Sequence, residues 1–191
     1  MTENTSREKH RKIRILLRVL IVVSIIFAWG HSLLPAEESS EESGFVLELL
    51  KPILSVFLPE DMITGLFIRK LAHFCEYAIM GLEMAAYTAL IIRKRRVFTK
   101  ESGKADRKEI LKLSINTLFC GLAVAFIDET IQIFSPGRGP EIADVWLDMS
   151  GFVSGGIVAA LICLIISKRA AKKYQKDSKP ITIPEHMDIK E

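Results

Sequence analysis

Residues 67–84 read FIRKLAHFCEYAIMGLEM, an apolar run with Arg69, Lys70, His73, Glu76 and Glu83 set into it. The apolar residues continue to about residue 92. At ~1.5 Å per residue, a helix of about 20 residues crosses the ~30 Å hydrocarbon layer of a bilayer. The ionisable residues are not scattered around that helix. At about 100° per residue, Arg69, His73, Glu76 and Glu83 fall within roughly 80° of one another. An apolar helix with a single polar stripe is expected to span a membrane and turn the stripe toward its neighbours.

The rest of the chain supplies the neighbours. Runs of similar length lie at 15–34, 113–134 and 145–166, beside 71–92 itself. Hydrophobic residues are 49% of the 191, an ordinary share for a soluble protein. Their segregation into four blocks excludes a soluble globule around one core and excludes a disordered chain. Backbone groups in hydrocarbon must be satisfied internally, so the expected fold class is all-α: a polytopic four-helix transmembrane bundle. It divides into a basic N-terminus 1–14, a membrane domain 15–166 and a basic tail 167–191. The tail is expected to be disordered from Gln175 on. The first run has the basic start of a signal peptide, but its length and the Leu34 preceding Ala36 favour an uncleaved helix.

Lysine and arginine set the expected orientation. They crowd before the first span, in the loop 93–112 and in the tail, whereas the segment 35–68 carries only Lys51 against seven acids and the third loop only Arg138. Both termini and the basic loop are therefore expected in the cytoplasm. The basic loop fits anionic inner-leaflet lipid rather than a nucleic acid, and no nucleic-acid partner is expected. The stretch 37–43 reads as a flexible acidic start to the outer loop. The apolar stretch 45–58, broken by Pro52, is too short to span and fits an interfacial element packed over the bundle end. Cys75, Cys120 and Cys163 lie in spans without CxxC spacing and suggest neither disulfide nor metal.

A second polar block occupies residues 126–144, FIDETIQIFSPGRGPEIAD. Asp128, Gln132 and Ser135 share a helix face, with Glu129 about 100° away. In the fourth span Asp144, Asp148, Gly151 and Gly155 share a face. In the expected orientation, Arg69, Lys70, His73, Glu76, Asp128, Glu129, Gln132, Asp144 and Asp148 all lie near the outer leaflet, while Glu83 sits deeper. Charges at a span centre cost ~2.5–3.5 kcal/mol each on insertion scales. Polar groups brought to one depth by three helices therefore suggest a site. A salt-bridged plug that fixes helix register is the competing reading. His73, Glu76 and Asp128 form the candidate acid/base set. Arg69, Lys70, Arg138, Glu129, Gln132, Asp144 and Asp148 are the candidate binding residues, with arginine suited to phosphate. A single histidine among acids falls short of a metal assignment, so neither a metal nor a cofactor is assigned. Gly151 and Gly155 form a GxxxG expected to serve helix packing. The 136–140 run PGRGP is expected to turn.

These residues resemble the VanZ-like family of small bacterial membrane proteins. The likeness rests on Arg69-Lys70-Leu71-Ala72-His73-Phe74-Cys75-Glu76-Tyr77, Asp128-Glu129-Thr130-Ile131-Gln132, Pro136-Gly137-Arg138, Asp144, Asp148 and Gly151. It covers about residues 67–156, with a weaker likeness over 29–34. The resemblance implies a multi-pass protein of the bacterial cell membrane and, from the family's namesake, an effect on teicoplanin susceptibility. Some relatives carry the label phosphotransbutyrylase, but this chain has no nucleotide or acyl-CoA motif. The expected partner, besides the bilayer, is a lipid-linked envelope precursor or an anionic polymer. A small proton-coupled carrier and a non-catalytic scaffold are the alternatives, and turnover and oligomeric state stay open on the sequence alone.

Overall fold

The computed structural model describes residues 2–98 and 107–177. The fold is all-α: α1 (Thr2–Ser32), α2 (Ala36–Leu54), a 3-10 turn (Glu60–Met62), α3 (Gly65–Phe98), α4 (Arg107–Gln132) and α5 (Ile142–Asp177). Among the described residues, four segments are long and apolar enough to cross a membrane: Glu8–Ser32, Gly65–Ile92, Ile110–Gln132 and Ile142–Arg169. The chain divides into two compact units, Met1–Ala160 and Leu161–Glu191. The second holds the C-terminal part of α5. The helix continues through Gln175 to Asp177, where disorder was expected. The expected disorder of 178–191 and part of the basic loop lie outside the described residues.

The first unit distributes polarity in the opposite way from a soluble domain. Ile15, Val19, Val22, Ile26, Phe119, Phe126 and Ile157 are all exposed, whereas Asp128 and Asp148 rank with Tyr77, Phe152 and Met80 among the largest fully buried side chains. An apolar exterior on this scale would aggregate in water and is solvated by lipid in a bilayer.

Local chemistry explains why the helices start and stop where they do. Thr64 caps α3, its hydroxyl accepting from the Phe67 amide at 3.2 Å. Such a cap satisfies one of the free amides of the first turn. It starts the helix before Arg69 and Lys70 and brings both into the helix. α4 ends at Gln132, two residues short of the expected 134, because Ser135 and Pro136 turn the chain. Ser135 Oγ donates to the Leu34 carbonyl at 2.6 Å, and the Ala36 amide donates to the Pro136 carbonyl at 3.0 Å. The α4–α5 turn is thereby tied to the α1–α2 turn.

The stretch 37–43, expected to be flexible, is the start of α2. Glu37 and Glu38 lie in its first turn, where carboxylates suit the helix dipole. Ser39 and Ser43, one turn apart, are buried, and Ser43 Oγ donates to the Ser39 carbonyl at 2.6 Å. A Cβ added to Gly65 would lie 4.0 Å from the Ser43 Cβ, so small residues let α2 lie close along the start of α3. The other side of α2 leaves Phe45, Leu49 and Ile53 exposed at intervals of four residues, a stripe of the kind interfacial helices carry, and Phe57 is exposed in the turn that follows.

Two polar residues inside the spans are accounted for by packing. Arg18 Nε donates to the Tyr87 hydroxyl at 2.7 Å, with the guanidinium 5.4 Å from that ring's centroid. Glu83 accepts from Ser24 Oγ at 3.0 Å, about two helical turns beyond Glu76.

Gly137, in the PGRGP turn, has φ +75°, and an added Cβ would meet the Ala36 Cβ at 3.1 Å. A side chain in the left-handed region costs about 1–2 kcal/mol. Gly137→Ala should therefore lower the thermal midpoint in detergent by roughly 2–8 °C, at about 2–4 °C per kcal/mol for a chain of this size. An unchanged midpoint would show that the turn relaxes freely.

Candidate functional site

The polar residues of α3, α4 and α5 meet at the end of the first unit where α1 and α4 finish and α3 and α5 begin. His73 lies eight residues into α3, Asp128 four residues before the end of α4, and Asp148 six residues into α5. At ~1.5 Å per residue, all three sit about 6 to 12 Å from the helix ends.

At the centre, His73 Nδ1 lies 3.6 Å from Asp128 Oδ2 and 3.8 Å from Asp148 Oδ1. Asp128 is 0% and Asp148 1% exposed. Neither oxygen of either carboxylate has a hydrogen-bond partner among the described residues. Buried polar groups are ordinarily paired, and an unpaired ionised one is costly. Tyr77, fully buried and with no partner for its hydroxyl among the described residues, lies near both aspartates.

Beside this triad is a second pair that the sequence reading did not separate out. His31, at the end of α1, sits 3.1 Å by Nδ1 from Glu76 Oε1 and 3.4 Å by Nε2 from Glu42 Oε2. Its ring stacks on His73 with centroids 5.8 Å apart and planes 10° apart. The partner of Glu76 is thus His31, and Glu76 Oε2 is buried with no partner among the described residues. The signal for His31 was its place among the apolar residues closing the first span. Trp29 stands two residues before it, and its indole Nε1 donates to the Val124 carbonyl of α4 at 3.3 Å.

Several expected binding residues prove to be internally engaged. Lys70 pairs with Asp144 and lies 3.4 Å from Glu141. Glu129 accepts the Glu141 amide at 2.8 Å and the Gln132 side-chain amide at 3.0 Å, which holds the entry to α5. Glu83 stands with Ser24, outside the cluster.

Arg138 is different. Its Nη1 reaches the His31 and Ser32 carbonyls at 3.5 Å, at the C-terminal end of α1, where a cation complements the helix dipole. Its Nε and Nη2 are buried and have no partner among the described residues. Burial, reinforced by nearby Arg69, draws its pKa below the ordinary arginine value, and a guanidinium stays charged at neutral pH. Arg138 and Arg69 line one narrow cleft with Lys70, His73, Glu129, Gln132 and Asp144. Guanidinium donors without a partner beside such a cleft suit an anion with several oxygens.

A chain with four bilayer-length apolar helices and ionisable groups buried between them is a multi-pass membrane protein. The sequence profile of the VanZ/LLP1 family matches residues 16–166. The chain belongs to that family. No curated protein and no solved structure matches it.

Proposed function

We propose that this protein binds the phosphate of a lipid-linked envelope component at the outer leaflet of a bacterial cell membrane, and thereby alters susceptibility to glycopeptides such as teicoplanin. The placement of lysine and arginine supports cytoplasmic termini and an outward-facing cleft. The observation that carries the reading is Arg138, whose buried Nε and Nη2 lack partners beside Arg69 in that cleft. The headgroup phosphate docks there, with its lipid tail alongside the apolar helix surface. Glu76, hydrogen-bonded to His31 and one helical turn from the cleft-lining His73, is the group we propose to accept a proton from a bound headgroup.

The test compares wild type with Arg138→Gln and Glu76→Gln in a susceptible Gram-positive host at matched membrane levels. Teicoplanin susceptibility and retention of a polyprenyl phosphate in nanodiscs are both read. A charged hydrogen bond contributes ~1.5–3 kcal/mol, so Arg138→Gln should weaken retention about tenfold or more and remove protection. Glu76→Gln should keep retention, and loss of its protection would show that proton transfer at Glu76 is needed beyond binding. Wild type that neither retains the lipid nor protects would overturn the proposal.

A further inference from the structure

We infer that His73, Asp128 and Asp148 form a binding site for a divalent transition cation of the Zn²⁺ or Mn²⁺ type. One ligand atom from each, the imidazole nitrogen and a carboxylate oxygen of each aspartate, lies within 4.8 Å of the other two. The ligands come from α3, α4 and α5, so packed helices hold them rather than a loop.

The second observation is the state of the aspartates. Both are at least 99% buried, and all four of their oxygens lack a hydrogen-bond partner among the described residues. Among the described residues no lysine or arginine is paired with either aspartate. Lys70 pairs with Asp144 and Glu141, and Arg138 reaches the α1 carbonyls. The imidazole alone can offset one carboxylate. A dication bound by neutral His73 through Nδ1 offsets both and uses the orphaned oxygens.

The dimensions agree. Metal–ligand bonds of ~2.0–2.2 Å place neighbouring ligand atoms roughly 3.0–3.6 Å apart. The imidazole nitrogen is already 3.6 and 3.8 Å from the two oxygens, and the two aspartate oxygens, within 4.8 Å of each other, close on an ion by side-chain rotation. One nitrogen and two carboxylates suit zinc or manganese better than calcium, which takes six or more oxygens. Three protein ligands leave a coordination position open, as catalytic sites do. His73 also lines the cleft that holds Arg69 and Arg138.

The inference is independent of the lipid reading, and its test uses no lipid substrate. The full chain is purified in detergent, stripped with EDTA and titrated with Zn²⁺ alone or Mn²⁺ alone. Bound metal is counted by elemental analysis, Mn²⁺ is followed by electron paramagnetic resonance, and thermal unfolding is recorded on the same samples. The expected result is about one ion per chain with a raised midpoint, since an ion that binds the folded state stabilises it. Asp128→Asn and Asp148→Asn should each weaken binding at least about tenfold. Glu83→Gln, in a carboxylate held by Ser24 elsewhere in the span, should bind as wild type does. If an Asn variant does not fold, competition of Zn²⁺ against bound Mn²⁺ in wild type decides. Displacement at one ion per chain supports the site. Wild type that takes up neither ion, or Asn variants that bind as tightly as wild type, would overturn it.

Discussion

In metal-free protein, His73→Asn should unfold at a temperature about 6–20 °C below wild type, while Asp148→Asn should match or exceed wild type. The asymmetry comes from charge balance. The triad sets two buried carboxylates against one imidazole, with His73 3.6 Å from Asp128 and 3.8 Å from Asp148. Removing the imidazole leaves two carboxylates facing each other away from water. Breaking a buried pair in that way costs about 3–5 kcal/mol, and each kcal/mol moves the midpoint of a chain this size by about 2–4 °C. Replacing Asp148 by asparagine leaves Asp128 with His73, a balanced pair, and removes one orphaned charge. Residues kept for function are often residues that the fold would be more stable without. Thermal unfolding in detergent with EDTA present reads both variants. Equal losses in the two would show that the triad is a structural network in which each member supports the others.

Gly155→Val should prevent stable packing of α3 against the first turns of α5. A Cβ on Gly155 would collide with the Ala78 carbonyl, and one on Gly151 with the Phe74 carbonyl. From the facing helix, a Cβ on Gly81 would collide with the Phe152 carbonyl. These obstacles are backbone, so no change of rotamer relieves them. Overpacking typically costs 1–3 kcal/mol where side chains can yield, and here the cost should exceed about 3 kcal/mol. Because α3 carries His73 and α5 carries Asp148, the substitution separates the triad as well. The neighbouring Gly156 is the control: its added Cβ would lie 4.0 Å from Ala85, an ordinary contact, and Gly156→Ala should be tolerated. Resistance of the folded helices to SDS, followed by circular dichroism, measures both. Wild-type resistance in Gly155→Val would mean that the two helices need not approach so closely.

Much of this protein could be read from its sequence alone. Four apolar blocks of bilayer length leave few alternatives to four helices. The GxxxG of Gly151 and Gly155 pointed to close packing, which Phe74 and Ala78 then supply. That the polar segments of three helices share one depth was legible because position along a helix sets depth, whereas the grouping of His73 with both Asp128 and Asp148 came from the structure. Family membership followed from the same residues. The partner of each polar residue was not legible. Only the tertiary structure gave Glu76 to His31, Glu83 to Ser24, Lys70 to Asp144, Glu129 to the Glu141 amide and Arg138 to the end of α1. It also made 37–43 a helix, by burying Ser39 and Ser43. The reason is geometric. A residue's number fixes its height and its angle on its own helix, but its partner depends on which neighbour stands at that angle, and the packing of the helices and the turns between them decide that.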